Sequence, residues 1–111
     1  MSRVNEAFQL KYNGYKESLE EMQTKIIELT HDLDEHEVVL KTLGETAPER
    51  KCYRMVGGAL VESDVQTTQP ILEVKRDNLR TTVSQLKAEL VRVATEFEQW
   101  KKDNKIQVVK Q

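Results

Sequence analysis

The sequence predicts a mainly α chain: an antiparallel two-helix coiled coil with a central β-hairpin that needs strands from other subunits. Three observations predict it. Two long stretches carry apolar residues at alternating spacings of four and three, the pattern of a coiled-coil seam. Between them two β-prone runs, 52–56 and 59–61, meet at Gly57-Gly58. Across the 111 residues charged side chains make up 32% and aromatic ones 5%, a mix poor in core formers and suited to long solvated helices. The expected organisation is a single domain over 1–111, with a helix over 4–43, a hairpin over 51–64, a second helix over 67–105 and a tail over 106–111.

The first seam runs Phe8, Tyr12, Tyr15, Leu19, Met22, Ile26, Leu29, Leu33, His36, Leu40 and Leu43. A core helix of a compact domain would show a wider apolar stripe and more drift. Here the flanking positions are mostly Glu, Lys, Gln, Asp or Thr, with Ile27, Val38 and Val39 widening the stripe locally. At 1.5 Å per residue the seam is roughly 50 Å long. Gly44 is the expected C-cap, and Pro48 stops any continuation. His36 lies one turn after Asp32, so an imidazolium–carboxylate pair is one reading and a partly solvated seam histidine the other. His31 and His36 are five apart and point in different directions, which is not a metal-binding spacing.

In the hairpin, Gly57 and Gly58 supply the positive φ that a two-residue loop requires. That register sets Val56 opposite Ala59, Met55 opposite Leu60, Arg54 opposite Val61 and Tyr53 opposite Glu62. One face then carries Cys52, Val56, Ala59 and Val61, the other Tyr53, Met55 and Leu60. A lone two-stranded ribbon is marginal in water, and open edges are templates for pairing. Nothing else in the chain reads as a strand, so the hairpin is expected to pair with hairpins of other subunits. The blander reading is a cap that folds back on its own helices. Cys52 is expected to be a small buried thiol.

The second seam runs Leu72, Arg76, Leu79, Val83, Leu86, Leu90, Val93, Phe97 and Trp100, after an N-cap expected at Thr67 or Thr68 with Pro70 in the first turn. Arg76 either snorkels its stem along the groove or sets the register against the first helix. The antiparallel arrangement sets Leu40 and Leu43 near Leu72, and Phe8 near Phe97 and Trp100. Past the second seam come KKDNKIQVVKQ, with Ile106, Val108 and Val109 among lysines, and the chain start offers Val4, Ala7 and Phe8. Apolar groups rimmed by charge suggest a contact surface, and a frayed terminus is the other reading.

Several functions are disfavoured. The net charge of −2 argues against a broad nucleic-acid surface. One cysteine permits no intrachain disulfide. No phosphate-cradling glycine loop, Cys/His cluster or nucleophile–base set stands out, and a two-helix rod is expected to offer no concave apolar pocket. No catalytic, cofactor-binding or metal site is therefore expected. MSRVNEAF carries no apolar run of signal-peptide length, and no stretch nears the roughly 20 apolar residues of a membrane span. The expectation is a soluble intracellular protein.

Heptad helix, hairpin and heptad helix at this length resemble a beta-class subunit of prefoldin, the hexameric cochaperone. RKCYRMVGGALVESDV is similar to that family's hairpin motif, and EFEQWKKDNKIQVVKQ resembles the C-terminus of a eukaryotic beta-class member. The resemblance implies a cytoplasmic heterohexamer of alpha- and beta-class subunits whose hairpins close an intersubunit β-barrel. Its coiled-coil tips would hold unfolded polypeptides, actin and tubulin chief among them, without ATP, and deliver them to the cytosolic chaperonin. On that basis Cys52, Tyr53, Arg54, Met55, Val56, Gly57, Gly58, Ala59, Leu60, Val61 and Glu62 are the candidate oligomerisation residues. Val4, Phe8, Trp100, Ile106, Val108 and Val109 are the candidate client contacts. The alternative is a structural tether or scaffold subunit without chaperone activity.

Overall fold

The structure, a computed structural model, describes residues 3–105, with side chains from residue 5 onward. The elements run α1 (Arg3–Gly44), β1 (Lys51–Val56), β2 (Ala59–Asp64) and α2 (Val65–Asp103). The chain divides into two compact units, Glu28–Val83 and the pair Met1–Ile27 with Ser84–Gln111.

The heptad positions are the ones that lose solvent. Every α1 seam residue from Phe8 to Leu43 is half-buried or buried, and so is every α2 seam residue from Leu72 to Trp100. No side chain among the described residues is fully enclosed. That is the physical consequence of a seam: each apolar residue is covered on one side by the facing helix and stays open on its flanks. Ile27 and Val38, which broaden the stripe, are 69% and 66% exposed.

In the unit Glu28–Val83, α1 ends on two i→i−3 bonds, Glu45 N–H to Thr42 O at 3.2 Å and Thr46 N–H to Leu43 O at 3.1 Å. The Thr46 hydroxyl also donates to Thr42 O at 2.7 Å. Gly44 is therefore not the left-handed cap that its position suggests; a tightened last turn satisfies the orphan carbonyls instead. The hairpin register is Lys51↔Asp64 through Val56↔Ala59, antiparallel. Gly57 at φ 56° and Gly58 at φ 85° form the loop, the signs a type I′ turn requires.

The start of α2 differs from the sequence expectation. Helix begins at Val65, ahead of Thr67, because Asp64 is the N-cap: its Oδ1 accepts from Thr67 N–H at 2.7 Å. Val65 N–H donates to Arg50 O at 3.1 Å and Gln66 N–H to Pro48 O at 3.0 Å, so the linker carbonyls take two more orphan donors. Thr68 is not a cap but a buried residue, 5% exposed, whose Oγ1 lies 3.1 Å from Cys52 Sγ. Val65, 2% exposed, and Thr68 extend the seam upstream of Leu72. Pro70 consequently stands inside the helix rather than in its first turn. It has no N–H for Gln66 O, and Gln66 is exposed, so water is available to that carbonyl.

The seam's polar intrusions are accommodated locally. Arg76 keeps its head on its own helix, with Nε donating to Asp77 Oδ1 at 3.1 Å while the side chain is 25% exposed, the geometry of a snorkelling stem. His36 Nδ1–H donates to Asp32 O at 2.8 Å, with Asp32 Oδ1 at 3.5 Å. Between α1 and α2, Arg80 donates to Glu37.

Candidate functional site

Two surfaces carry the candidate residues, one in each unit. The first is the hairpin. Alternation along the strands turns Cys52, Arg54 and Ser63 inward, where all three are half-buried. The other face is open: Tyr53 is 60% exposed and Met55 and Leu60 are each 66% exposed. Val56 and Val61, on the Cys52 face near the loop, remain 49% and 39% exposed. The ribbon thus presents large apolar side chains to solvent on both faces, and the two-stranded sheet has a free edge on each side. An ion pair crosses the strands, Lys51 Nζ–Glu62 Oε1 at 3.1 Å. Apolar side chains exposed on an unpaired sheet leave both its faces and its edges open to contact.

The second surface is the helix pair of the unit Met1–Ile27 with Ser84–Gln111, where five of the six aromatic residues meet. Phe97, 7% exposed, is the centre. Tyr15 stacks on it at 5.0 Å and Tyr12 meets it edge-on at 5.3 Å. Trp100 stacks on Phe97 at 6.2 Å and takes the edge of Phe8 at 6.2 Å. Lys101 Nζ lies 4.4 Å from the Phe97 ring centroid and Lys11 Nζ 5.7 Å from that of Trp100, distances at which a cation is attracted to the ring face.

Of the six candidate client contacts, the structure describes the side chains of two. Phe8 and Trp100 are half-buried and packed against each other, not displayed singly. The Val4 side chain and residues Ile106, Val108 and Val109 lie outside the described residues. The heptads already set Tyr12, Tyr15 and Phe97 in the seams, but spacing alone does not identify them as a cluster with Trp100.

The same unit carries a shallow trough beside this cluster. An open groove of about 800 Å³ runs between the helices, with Tyr15, Met22, Leu86 and Val93 as its apolar lining and Lys11, Glu21, Lys25, Glu89 and Glu96 at its margins. A coiled coil makes such a trough wherever the seam is flanked by small residues, and Gly14 and Ser18 are in its lining. Burial, then the charge of Glu96, raises the Tyr15 phenol above its ordinary range. Hydrogen bonding from Arg92 lowers the Glu89 carboxyl, and Arg92 is raised in turn, first by its bonds to Glu89. Among the described residues no group of three or more His, Cys, Asp or Glu side chains is placed to hold a metal ion. No helix there is long and apolar enough to cross a membrane.

Comparison with known proteins agrees with this geometry. A family model described as "Prefoldin subunit" matches residues 6–111. The chain is 64% identical over 110 residues to prefoldin subunit 2 of Saccharomyces cerevisiae, covering 99% of each chain. It is 41% identical to the probable prefoldin subunit 2 of Schizosaccharomyces pombe, covering 93% of this chain and 90% of that one. Against prefoldin subunit 2 of Homo sapiens it is 32% identical over 88% of this chain and 64% of that one. With two long helices joined through an antiparallel hairpin, and a family match over nearly its whole length, the chain belongs to the prefoldin subunit family.

Proposed function

We propose that this chain is a beta-class subunit of a cytoplasmic prefoldin heterohexamer and that the hairpin, residues 52–62, is its assembly surface. The observation that carries this is the exposed apolar ribbon: Tyr53, Met55 and Leu60 on one face, Val56 and Val61 on the other, with both edges unpaired. Alpha- and beta-class partners would supply the missing strands and close a barrel, which removes the edges. The assembled complex would hold unfolded polypeptides, actin and tubulin among them, without ATP and without catalysis, and pass them to the cytosolic chaperonin. Several weak contacts mounted on one platform gain avidity while each stays easy to release.

The client contacts in this reading are Val4, Phe8, Trp100, Ile106, Val108 and Val109. The mutual packing of Phe8 and Trp100 favours a second reading, a tether or scaffold in which those rings serve only to join the helices. The two readings separate in one experiment. Co-assembled with its partners, the protein should slow aggregation of a chemically unfolded client, and removal of residues 104–111 should weaken that effect with the native mass unchanged. Undiminished suppression after truncation removes the tail from the client site. No suppression by the intact assembly favours the tether.

A further inference from the structure

Arg54 carries a donor that no described residue accepts. It sits on β1 opposite Val61, and its face of the ribbon holds Cys52, Val56, Ala59 and Ser63. No acidic residue is on that face. The Arg54 Nε is shielded from solvent and has no hydrogen-bond partner among the described residues. Both carboxylates of the hairpin are engaged elsewhere: Glu62 with Lys51 at 3.1 Å, and Asp64 with the Thr67 N–H at 2.7 Å. A shielded donor on a permanent cation is costly to leave unpaired, and native structures hold few of them. Val56 and Val61, on the same face of the ribbon, stay 49% and 39% exposed.

We propose that Arg54 takes a carboxylate from the neighbouring subunit, an aspartate or glutamate that arrives when strands dock beside Val56 and Val61. The proposal rests on the hairpin being the assembly surface and names what that surface selects. A carboxylate matches the guanidinium fork through two parallel N–H···O bonds, which gives direction as well as attraction. The apolar residues around it are indifferent to which β-prone hairpin covers them. Arg54 is not: a subunit presenting an apolar residue there leaves the donor unpaired in the assembly as well, one presenting a basic residue adds repulsion, and each gains less than a subunit that brings a carboxylate. Arg54 thereby acts as a specificity determinant for the order of neighbours.

The test uses the full chain co-expressed with its prefoldin partners, with assembly followed by native mass during dilution at low and high salt. Arg54→Met keeps the length of the stem and removes the donors. It is expected to weaken assembly by at least about tenfold and to flatten its salt dependence, because a buried carboxylate is then left alone. Arg54→Lys, which keeps the charge without the fork, is expected to restore only part of the loss. The isolated variant chain should keep its helicity, with an unfolding midpoint unchanged or higher. Assembly of Arg54→Met as tight and as salt-sensitive as the wild type overturns the proposal, and so does a loss of helicity in the isolated variant, which would make the effect structural. Val56→Asp with Val61→Asp tests the surface separately: if that pair still assembles, the assembly reading itself fails, whereas its failure to assemble beside an unaffected Arg54→Met overturns only the carboxylate.

Discussion

Asp64 concentrates several local requirements in one side chain. It ends β2, caps α2, and its carboxyl is held below the usual range by the hydrogen bond from Thr67. A depressed carboxyl contributes stability above its unfolded pKa and loses it as pH falls through the lower folded value. The cap therefore weakens under acid, below the ordinary titration range of aspartate. Asp64→Ala should lower the thermal midpoint at neutral pH, whereas Asp64→Asn should retain most of the cap and remove its part of the acid sensitivity. Circular dichroism melts between strongly acid and neutral pH read both effects. Phe97 is the other residue with many dependants, since Tyr12, Tyr15 and Trp100 all lean on it. Phe97→Ala should cost about 3 kcal/mol in denaturant unfolding of the assembled protein, the range for truncating a buried aromatic. Phe97→Leu should recover much of that, because the seam requires apolar volume first and ring geometry second.

At the scale of elements, the hairpin is specified by its turn and the helices by their periodicity. Gly57 and Gly58 have positive φ with open space where a Cβ would stand, so the cost of substitution is conformational and not steric. Gly58→Val should destabilise the hairpin by roughly 1–2 kcal/mol, the cost of left-handed backbone for an L residue. Gly57→Asn should be nearly neutral, as asparagine tolerates the φ of 56° found there. Assembly yield on co-expression ranks the two variants. The α2 start shows an element whose boundary is set from outside. Its first two N–H groups find Arg50 O and Pro48 O, carbonyls of the linker before β1. Linker, hairpin and helix start are therefore expected to protect one another in hydrogen exchange, the Val65 and Gln66 amides exchanging together with the β1–β2 ladder.

For the molecule as a whole, the thin seam and the open ribbon are two aspects of one economy: a two-helix coil encloses little, so much of the apolar surface stays exposed. Replacing Val56 and Val61 by aspartate should release monomers that keep most of their helicity, because the seams are independent of the ribbon's partners; native mass together with circular dichroism reads this. The sequence by itself determined the seams and the hairpin register. Spacings of four and three define a helix face whatever lies opposite, and Gly57-Gly58 dictate the strand pairing, Arg54 opposite Val61 included. Those are local rules, carried by neighbours a few residues apart. Only the tertiary structure decided that the first α2 amides, Val65 and Gln66, bond to Arg50 O and Pro48 O, that Thr68 is buried against Cys52, that Tyr15 stacks on Phe97, and that the Arg54 Nε has no acceptor among the described residues. Each of these depends on groups brought together from distant parts of the chain, or on the absence of any such group, and neither periodicity nor turn chemistry carries that information.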